Sequence, residues 1–180
     1  MGSSEADPMK KVLYRGKYLT IEQKSFKIAG KTILLPKEVK PDVVVIAPVL
    51  QDGRFLIERQ YRHSIGKHVN EFPAGHVDAG ELPEVAARRE LEEETGYKAE
   101  KWSALIEYFA SPGFLGESMK VFVAEGLTAG GTHWDDDEEI ELRLVKMSEL
   151  LKMIEKGAIL DGKTLTSVLL YARLQSRRKK

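Results

Sequence analysis

The sequence predicts an α/β fold, a mixed sheet sandwiched between helices in three α/β/α layers, with an additional β-rich segment at the N-terminus. Three observations carry that expectation. The order of elements reads β-rich, one internal helix, β-rich, then helices at the C-terminus. Residues 42–50 (DVVVIAPVL) carry an unbroken apolar run from Val43 to Leu50, too short for a typical helix and suited to a strand buried on both faces. The chain has 180 residues, 42% of them hydrophobic, which is enough for a single core.

Residues 1–9 read as a polar leader. Within residues 10–40, the segments YLTIEQ and SFKIAG interleave β-formers with polar residues and end in the turn pair Ala29-Gly30, which suggests a hairpin. An isolated hairpin is marginal, so this one is expected to pack on the main body or on another subunit. After residues 42–50, Gln51-Asp52-Gly53 makes a turn and residues 54–61 are the expected hairpin partner. A loop over residues 62–70 leads into Glu71-Phe72-Pro73-Ala74-Gly75. Residues 83–95 read as a helix, with Pro83 tolerated in the first turn and Gly96 placed for a left-handed C-terminal cap. Strands are expected at 104–109 and 120–125, separated by the turn Ser111-Pro112-Gly113. Residues 130–139 are an acidic loop, 140–146 a strand, 148–156 a helix capped by Ser148, and 165–175 a last helix before the basic tail 177–180.

Composition removes several function classes. The 28 Lys+Arg balance 28 Asp+Glu, which argues against binding nucleic acid or a membrane by global charge. The absence of cysteine excludes a disulfide scaffold, a thiolate zinc site and a cysteine nucleophile, and it fits a reducing compartment. No apolar run approaches the ~20 residues that span a bilayer. The N-terminus does not read as a secretory signal, so a cytoplasmic protein is expected. The histidines at 63, 68, 76 and 133 lack zinc-binding spacing and read as structural.

The helix through Arg89-Glu90-Leu91-Glu92-Glu93-Glu94 is poorly suited to stability alone. At 100° per residue Glu90, Glu93 and Glu94 share one face, and Glu90 and Glu94 repel at i,i+4 by roughly 0.2–0.5 kcal/mol. They also crowd the negative end of the helix dipole. Compensation by Arg88 and Arg89 is one resolution. A hard divalent cation is another, because Mg²⁺ takes carboxylate oxygens and leaves positions for substrate phosphates. The wider spacing favours the cation: Gly75, Glu81, Arg89, Glu90, Leu91, Glu93, Glu94 and Gly96 stand at fixed intervals within the 23 residues 75–97.

That pattern resembles the Nudix box, the metal-binding loop–helix–loop of hydrolases that cleave nucleoside diphosphates linked to another moiety. Tyr97 departs from it, standing where a bulky aliphatic residue is usual. The motifs Arg59-Gln60-Tyr61-Arg62 and Glu71-Phe72-Pro73-Ala74-Gly75 resemble the ADP-ribose pyrophosphatase and nucleoside diphosphate sugar hydrolase branch. So do Pro112, sixteen residues beyond Gly96, the acidic run 135–142, and Asp161-Gly162-Lys163-Thr164.

The resemblance implies the Nudix fold over residues 41–176, with residues 10–40 serving dimerisation. It implies Glu90, Glu94, Glu138 and the carbonyl of Ala74 as Mg²⁺ ligands, Mn²⁺ being an alternative ion. Glu93 is implied as an auxiliary ligand, and Arg89 as the residue that orients the glutamates from behind. The catalytic base is implied in the acidic loop. Asp136 stands where the branch usually carries a glutamate, one methylene longer, so Glu139 and Glu93 remain alternatives.

Arg62 is the candidate grip on the diphosphate, since guanidinium geometry matches phosphate oxygens. Arg59 is expected either in the substrate pocket or paired with Glu71. Glu117 is a candidate for a ribose hydroxyl, and Trp134 either covers the substrate or anchors its loop. The branch also implies a homodimer with residues such as Phe26 or Ile28 near the partner's site. The leading reading is a Mg²⁺-dependent hydrolase of nucleoside diphosphate sugars. The alternatives are a hydrolase of nucleoside triphosphates or dinucleoside polyphosphates, and a nucleotide-sugar sensor without catalysis.

Overall fold

The computed structural model describes residues 11–16, 20–39, 41–113, 115–130 and 140–178. They fall into two compact units, one of residues 1–41 with 109–118, the other of residues 42–108 with 119–180. The first contains an antiparallel sheet of three strands, β1 (Lys11–Arg15), β2 (Thr20–Ile28) and β3 (Lys31–Val39). The hairpin expected from YLTIEQ and SFKIAG turns at Ala29-Gly30 but has its second strand beyond those segments. Residues 20–28, drawn from both segments, run as one strand, β2, because nothing between Gln23 and Ser25 turns the chain, and the partner of β2 across Ala29-Gly30 is β3 in the register Phe26↔Ile33. Ala29 and Gly30 both take positive φ, 49° and 77°.

The second unit holds a seven-stranded mixed sheet and three helices. Its strands are β4 (Val43–Val49), β5 (Arg54–Arg62), β6 (Lys67–Glu71), β7 (Ala74–His76), β8 (Tyr97–Phe109), β9 (Ser118–Ala129) and β10 (Ile140–Lys146). The main path is β10-β5-β4-β9-β8, with β6 on β5 and β7 on β4. The helices are α1 (Pro83–Thr95), α2 (Met147–Glu155) and α3 (Gly162–Arg178).

All seven residues of β4 are buried, and the two-residue period of a strand explains its unbroken apolar run. Val43, Val45, Ala47 and Val49 pack in one core with Phe55, Ile57, Phe72, Leu150 and Val168, on the side of α2 and α3. Val44 and Ile46 pack in the other with Ala86, Ala87 and Leu91 of α1. The sheet is therefore covered on both faces. Ala86 and Ala87 are small, which lets the backbone of α1 approach the strand closely.

The hairpin of β4 and β5 is nominal. Its strands share the single pair Val49↔Phe55 next to the turn, and then separate. Beyond it β4 pairs in parallel with β9, while β5 pairs with β10 over seven residues. The separation leaves room for the chain after β5. Residues 67–70, expected in a loop, form β6 on β5 together with Glu71, and residues 74–76 form β7 on β4. Between them, at Phe72-Pro73, the chain changes partner strand.

The expected bounds of α1 and β10 match the structure, and Gly96 closes α1 at φ 71° with its N–H on the carbonyl of Glu92 at 2.8 Å. Elsewhere the elements extend further. β8 begins before the segment the sequence marked and ends with it at Phe109, and β9 extends beyond its marked segment at both ends, because strand pairing continues past the residues of strongest β-propensity. Ser148 does not cap α2: the N-cap is Lys146, with no side-chain cap bond, and Ser148 lies inside the first turn. α3 starts at Gly162, three residues early, because Asp161 rather than a later residue supplies its cap, accepting the N–H of Thr164 at 2.9 Å.

Leu91 is fully buried between α1 and β4. Leu91→Ala is expected to cost about 2–4 kcal/mol in urea unfolding through the cavity it leaves. Glu92→Ala, which removes only an exposed pair with Lys98, should stay within about 0.5 kcal/mol.

Candidate metal and diphosphate site

The register of β7 on β4 determines which backbone atoms of the site point outward. The bonds from Ile46 N–H to the carbonyl of Pro73 and from Val77 N–H to the carbonyl of Asp42, both 2.8 Å, set the phase of the ladder. Ala74 then opposes Val45 in a pair that exchanges no ladder bonds, so its N–H and C=O turn away from β4. The carboxylate of Glu94 accepts that N–H at 2.9 Å.

One residue on, Gly75 lies directly against Glu90. A Cβ at Gly75 would sit 2.0 Å from the carboxyl carbon of Glu90, so only glycine lets the helix carboxylate meet this backbone. The segment Ala74-Gly75 thus has the carboxylates of Glu90 and Glu94 against consecutive residues. Glu94 is only 6% exposed, which makes the backbone N–H an important partner for its charge.

Arg89 answers the crowding of acid on α1. Its Nη1 donates to Glu90 Oε1 at 2.7 Å and to Glu93 Oε2 at 2.9 Å. Its Nε and Nη2 hold Glu81 at 3.3 and 3.1 Å, and Nη2 also reaches the carbonyl of His76 at 3.0 Å. The hydrogen bond with Glu81, ahead of the opposing effect of burial, helps raise the guanidinium well above its ordinary pKa. Arg89 also lowers the pKa of Glu81 by hydrogen bonding. Arg88 plays a different part, bonding Glu84 and lying 5.0 Å from the ring of Trp102.

A second ionic group stands beside the first. Arg62 donates Nε and Nη2 to the two oxygens of Glu71 at 2.8 and 2.9 Å, and Lys163 bonds the same carboxylate. Glu71 is 1% exposed, so two cations meet one buried anion. Burial lowers the pKa of Arg62 and Glu71 outweighs it, leaving a net rise to which Glu94 also contributes. The expected alternatives for Arg59 included pairing with Glu71. That pairing belongs to Arg62, while Arg59 faces its cross-strand neighbour Glu141 at 3.6 Å, both well exposed.

The sequence-predicted residues Ala74, Glu90, Glu93, Glu94 and Arg89 come together here. Glu117 belongs to the other compact unit and is buried. Trp134, Asp136, Glu138 and Glu139 lie outside the described residues, as does the side chain of Ile28. His63 and His68 pack edge-on against Tyr61, with ring centroids 5.0 and 5.2 Å away. Among the described residues, no three His, Asp or Glu side chains form a ready ligand cage. The hard oxygens of Glu90, Glu94 and the outward carbonyl of Ala74 nevertheless suit Mg²⁺, which keeps several waters and needs few protein ligands. Among the described residues, three cations, Arg62, Arg89 and Lys163, face seven carboxylates, Glu71, Asp78, Glu81, Glu90, Glu93, Glu94 and Asp161, so the combined site keeps a surplus of negative charge.

Missed in the sequence were Lys163 as a second cation on Glu71, and Asp161 and Thr164 as the cap that holds Phe72. A glutamate next to Phe72-Pro73-Ala74 was a signal for a buried charge, and an aspartate three residues ahead of Thr164 was a signal for a helix cap.

Residues 40–167 match the family model of the NUDIX domain. The chain belongs to the Nudix family. An ADP-ribose pyrophosphatase of Bacillus subtilis (strain 168) is 37% identical over 126 residues, covering 69% of this chain and 68% of its own length. A GDP-mannose pyrophosphatase of Escherichia coli (strain K12 / DH10B) is 37% identical over 152 residues, 82% of this chain and 73% of that protein. The crystal structure of an ADP compounds hydrolase superposes with a TM-score of 0.82 at 20% identity, covering 94% of this chain and 92% of that one. At that identity it shows the shared Nudix fold, in which Gly75, α1 and Gly96 form the Nudix box.

Gly75→Ala is expected to displace Glu90 and weaken Mn²⁺ binding by on the order of 10–100-fold, as measured by titration calorimetry, with the fold retained by circular dichroism. The depressed carboxyl of Glu81 stabilises the fold fully above its ordinary value of 4.5, and this contribution disappears as pH falls through its lower folded value. The stability gap between wild type and Glu81→Gln should therefore be constant at neutral pH and close below pH 4.5 in urea titrations.

Proposed function

We propose that this chain is a Mg²⁺-dependent pyrophosphohydrolase of nucleoside diphosphate sugars, with ADP-ribose as the first substrate to try. The single observation that carries the metal is the convergence of Glu90, Glu94 and the outward carbonyl of Ala74. The relatives named for ADP-ribose and GDP-mannose support the substrate class.

In this reaction a water oxygen attacks one phosphorus, the bridging P–O bond breaks, and the water gives up a proton. The products are a nucleoside monophosphate and a sugar phosphate. Bound here, Mg²⁺ would supply neutralising charge for the diphosphate and lower the pKa of a water. Glu90, Glu94, the carbonyl of Ala74 and Glu138 would hold it, and Arg89 fixes the rotamers of Glu90 and Glu93. Arg62 has Nε and Nη2 committed to Glu71, so it meets the diphosphate through Nη1. Asp136, Glu139 and Glu93 are the candidates to take the proton, and Arg59 is assigned to the substrate.

The assembly is a homodimer in the cytoplasm, with the N-terminal sheet at the interface. Support for the dimer comes from exposed apolar side chains on that sheet, namely Val12, Leu13, Tyr14, Phe26, Ile33 and Leu34. Among the described residues no helix is long and apolar enough to cross a membrane.

A product assay over ADP-ribose, GDP-mannose, UDP-glucose, diadenosine polyphosphate and nucleoside triphosphates, with Mg²⁺ and with chelator, tests the reading. Chelator-sensitive cleavage of the sugar nucleotides is expected, and activity confined to triphosphates would defeat it. Glu94→Gln should lower turnover by on the order of 10²-fold or more, since it removes a charged ligand. Of Asp136→Asn and Glu139→Gln, the one that removes the base should lower turnover with metal affinity unchanged.

A further inference from the structure

Asp161-Gly162-Lys163-Thr164 has no part in the chemistry above, yet its side chains grip the segment that leads into the site. Asp161 Oδ2 accepts the Thr164 hydroxyl at 2.6 Å as well as its N–H. A hydroxyl has one hydrogen, so giving it to Asp161 leaves Thr164 Oγ1 to act as an acceptor toward other partners. The N–H of Phe72 takes that acceptor at 2.8 Å. Thr164 and Phe72 are 0% and 1% exposed, so no solvent stands ready to replace this bond. Lys163 in turn bonds Asp161 at 3.0 Å and Glu71.

Two consecutive residues are therefore held from the start of α3, Glu71 through its side chain and Phe72 through its backbone. Ala74, whose N–H meets Glu94, follows two residues later. Only Pro73 intervenes, and its ring fixes φ while restricting the residue before it. Such a connection has little slack. A shift of Phe72 is transmitted to Ala74 and, through the bond from its N–H, to Glu94.

We propose that Asp161, Lys163 and Thr164 are positioning residues that set the location of the Ala74 carbonyl and the Glu94 carboxylate as cation ligands. The inference rests on the ligand assignment given under the proposed function. A helix cap that merely holds α3 would affect stability and leave cation affinity unchanged, and this difference decides the experiment.

Mn²⁺ titration of the intact chain, followed by electron paramagnetic resonance without substrate, compares wild type with Thr164→Val and Thr164→Ser. Thr164→Val keeps the volume and removes the hydroxyl. It is expected to weaken Mn²⁺ binding about tenfold or more, with Thr164→Ser restoring it to within about twofold. In the hydrolysis assay the same variant should raise the Mg²⁺ concentration for half-maximal rate and leave KM for the nucleotide sugar unchanged at saturating metal. Wild-type Mn²⁺ affinity in Thr164→Val, with only a lower Tm, would overturn the proposal. Should Thr164→Val fail to fold, Lys163→Met takes its place with the same two outcomes. Wild type that binds no Mn²⁺ overturns the ligand assignment and this inference together. If wild type binds Mn²⁺ without hydrolysing any nucleotide sugar, only the substrate reading falls, and the effect of Thr164→Val on affinity still decides the inference.

Discussion

The site depends on one close approach, that of the α1 carboxylates to the backbone at Ala74-Gly75. Glu90 occupies the space a side chain at Gly75 would fill, and Glu94 accepts the N–H of Ala74. Charge of one sign gathered on a helix face is unfavourable on its own. It is tolerated because a backbone donor and one guanidinium are delivered to it with fixed geometry. Arg89 does for Glu81, Glu90 and Glu93 what no lysine could do from one position, since its donors point in several fixed directions.

That approach is itself a product of sheet topology. β4 and β5 share only the pair Val49↔Phe55, and the chain crosses from one to the other at Phe72-Pro73. The crossing point carries both ionic groups, with Glu71 on one side of it and Ala74 on the other. The helices divide the work accordingly. α1 supplies acid from one face of the sheet, and α3 supplies Asp161, Lys163 and Thr164, which steady the backbone that meets it.

Much of this was legible in the sequence, and the limits have physical causes. The bounds of α1 could be read because Pro83 and Gly96 are local signals, and the buried strand β4 because its valines report burial on both faces. The pairing of SFKI could not be read, since strand partners are chosen by tertiary contact and not by neighbours in the chain. The clustering of Glu90, Glu93, Glu94 and Arg89 followed from helical spacing. The exchange of Arg59 for Arg62 as the partner of Glu71 did not, because it depends on the pairing of β6 with β5: Glu71 lies opposite Glu58 and so shares the face of Arg62, whereas Arg59, three residues from Arg62, points to the other face. The Thr164 relay was hidden because its members are 92 residues apart.

The negative surplus at the joined ionic groups ties the lifetime of the folded protein to its ionic surroundings. A cation taken up by the folded site and ignored by the unfolded chain adds its binding free energy to folding, about 2.7 kcal/mol at a hundred times its dissociation constant. On the proposed ligand assignment, depletion of divalent ions would therefore lower stability as well as activity. Glu90, Glu93 and Glu94 would be left to repel one another with Arg89 bridging the first two, and the protein would become easier to unfold.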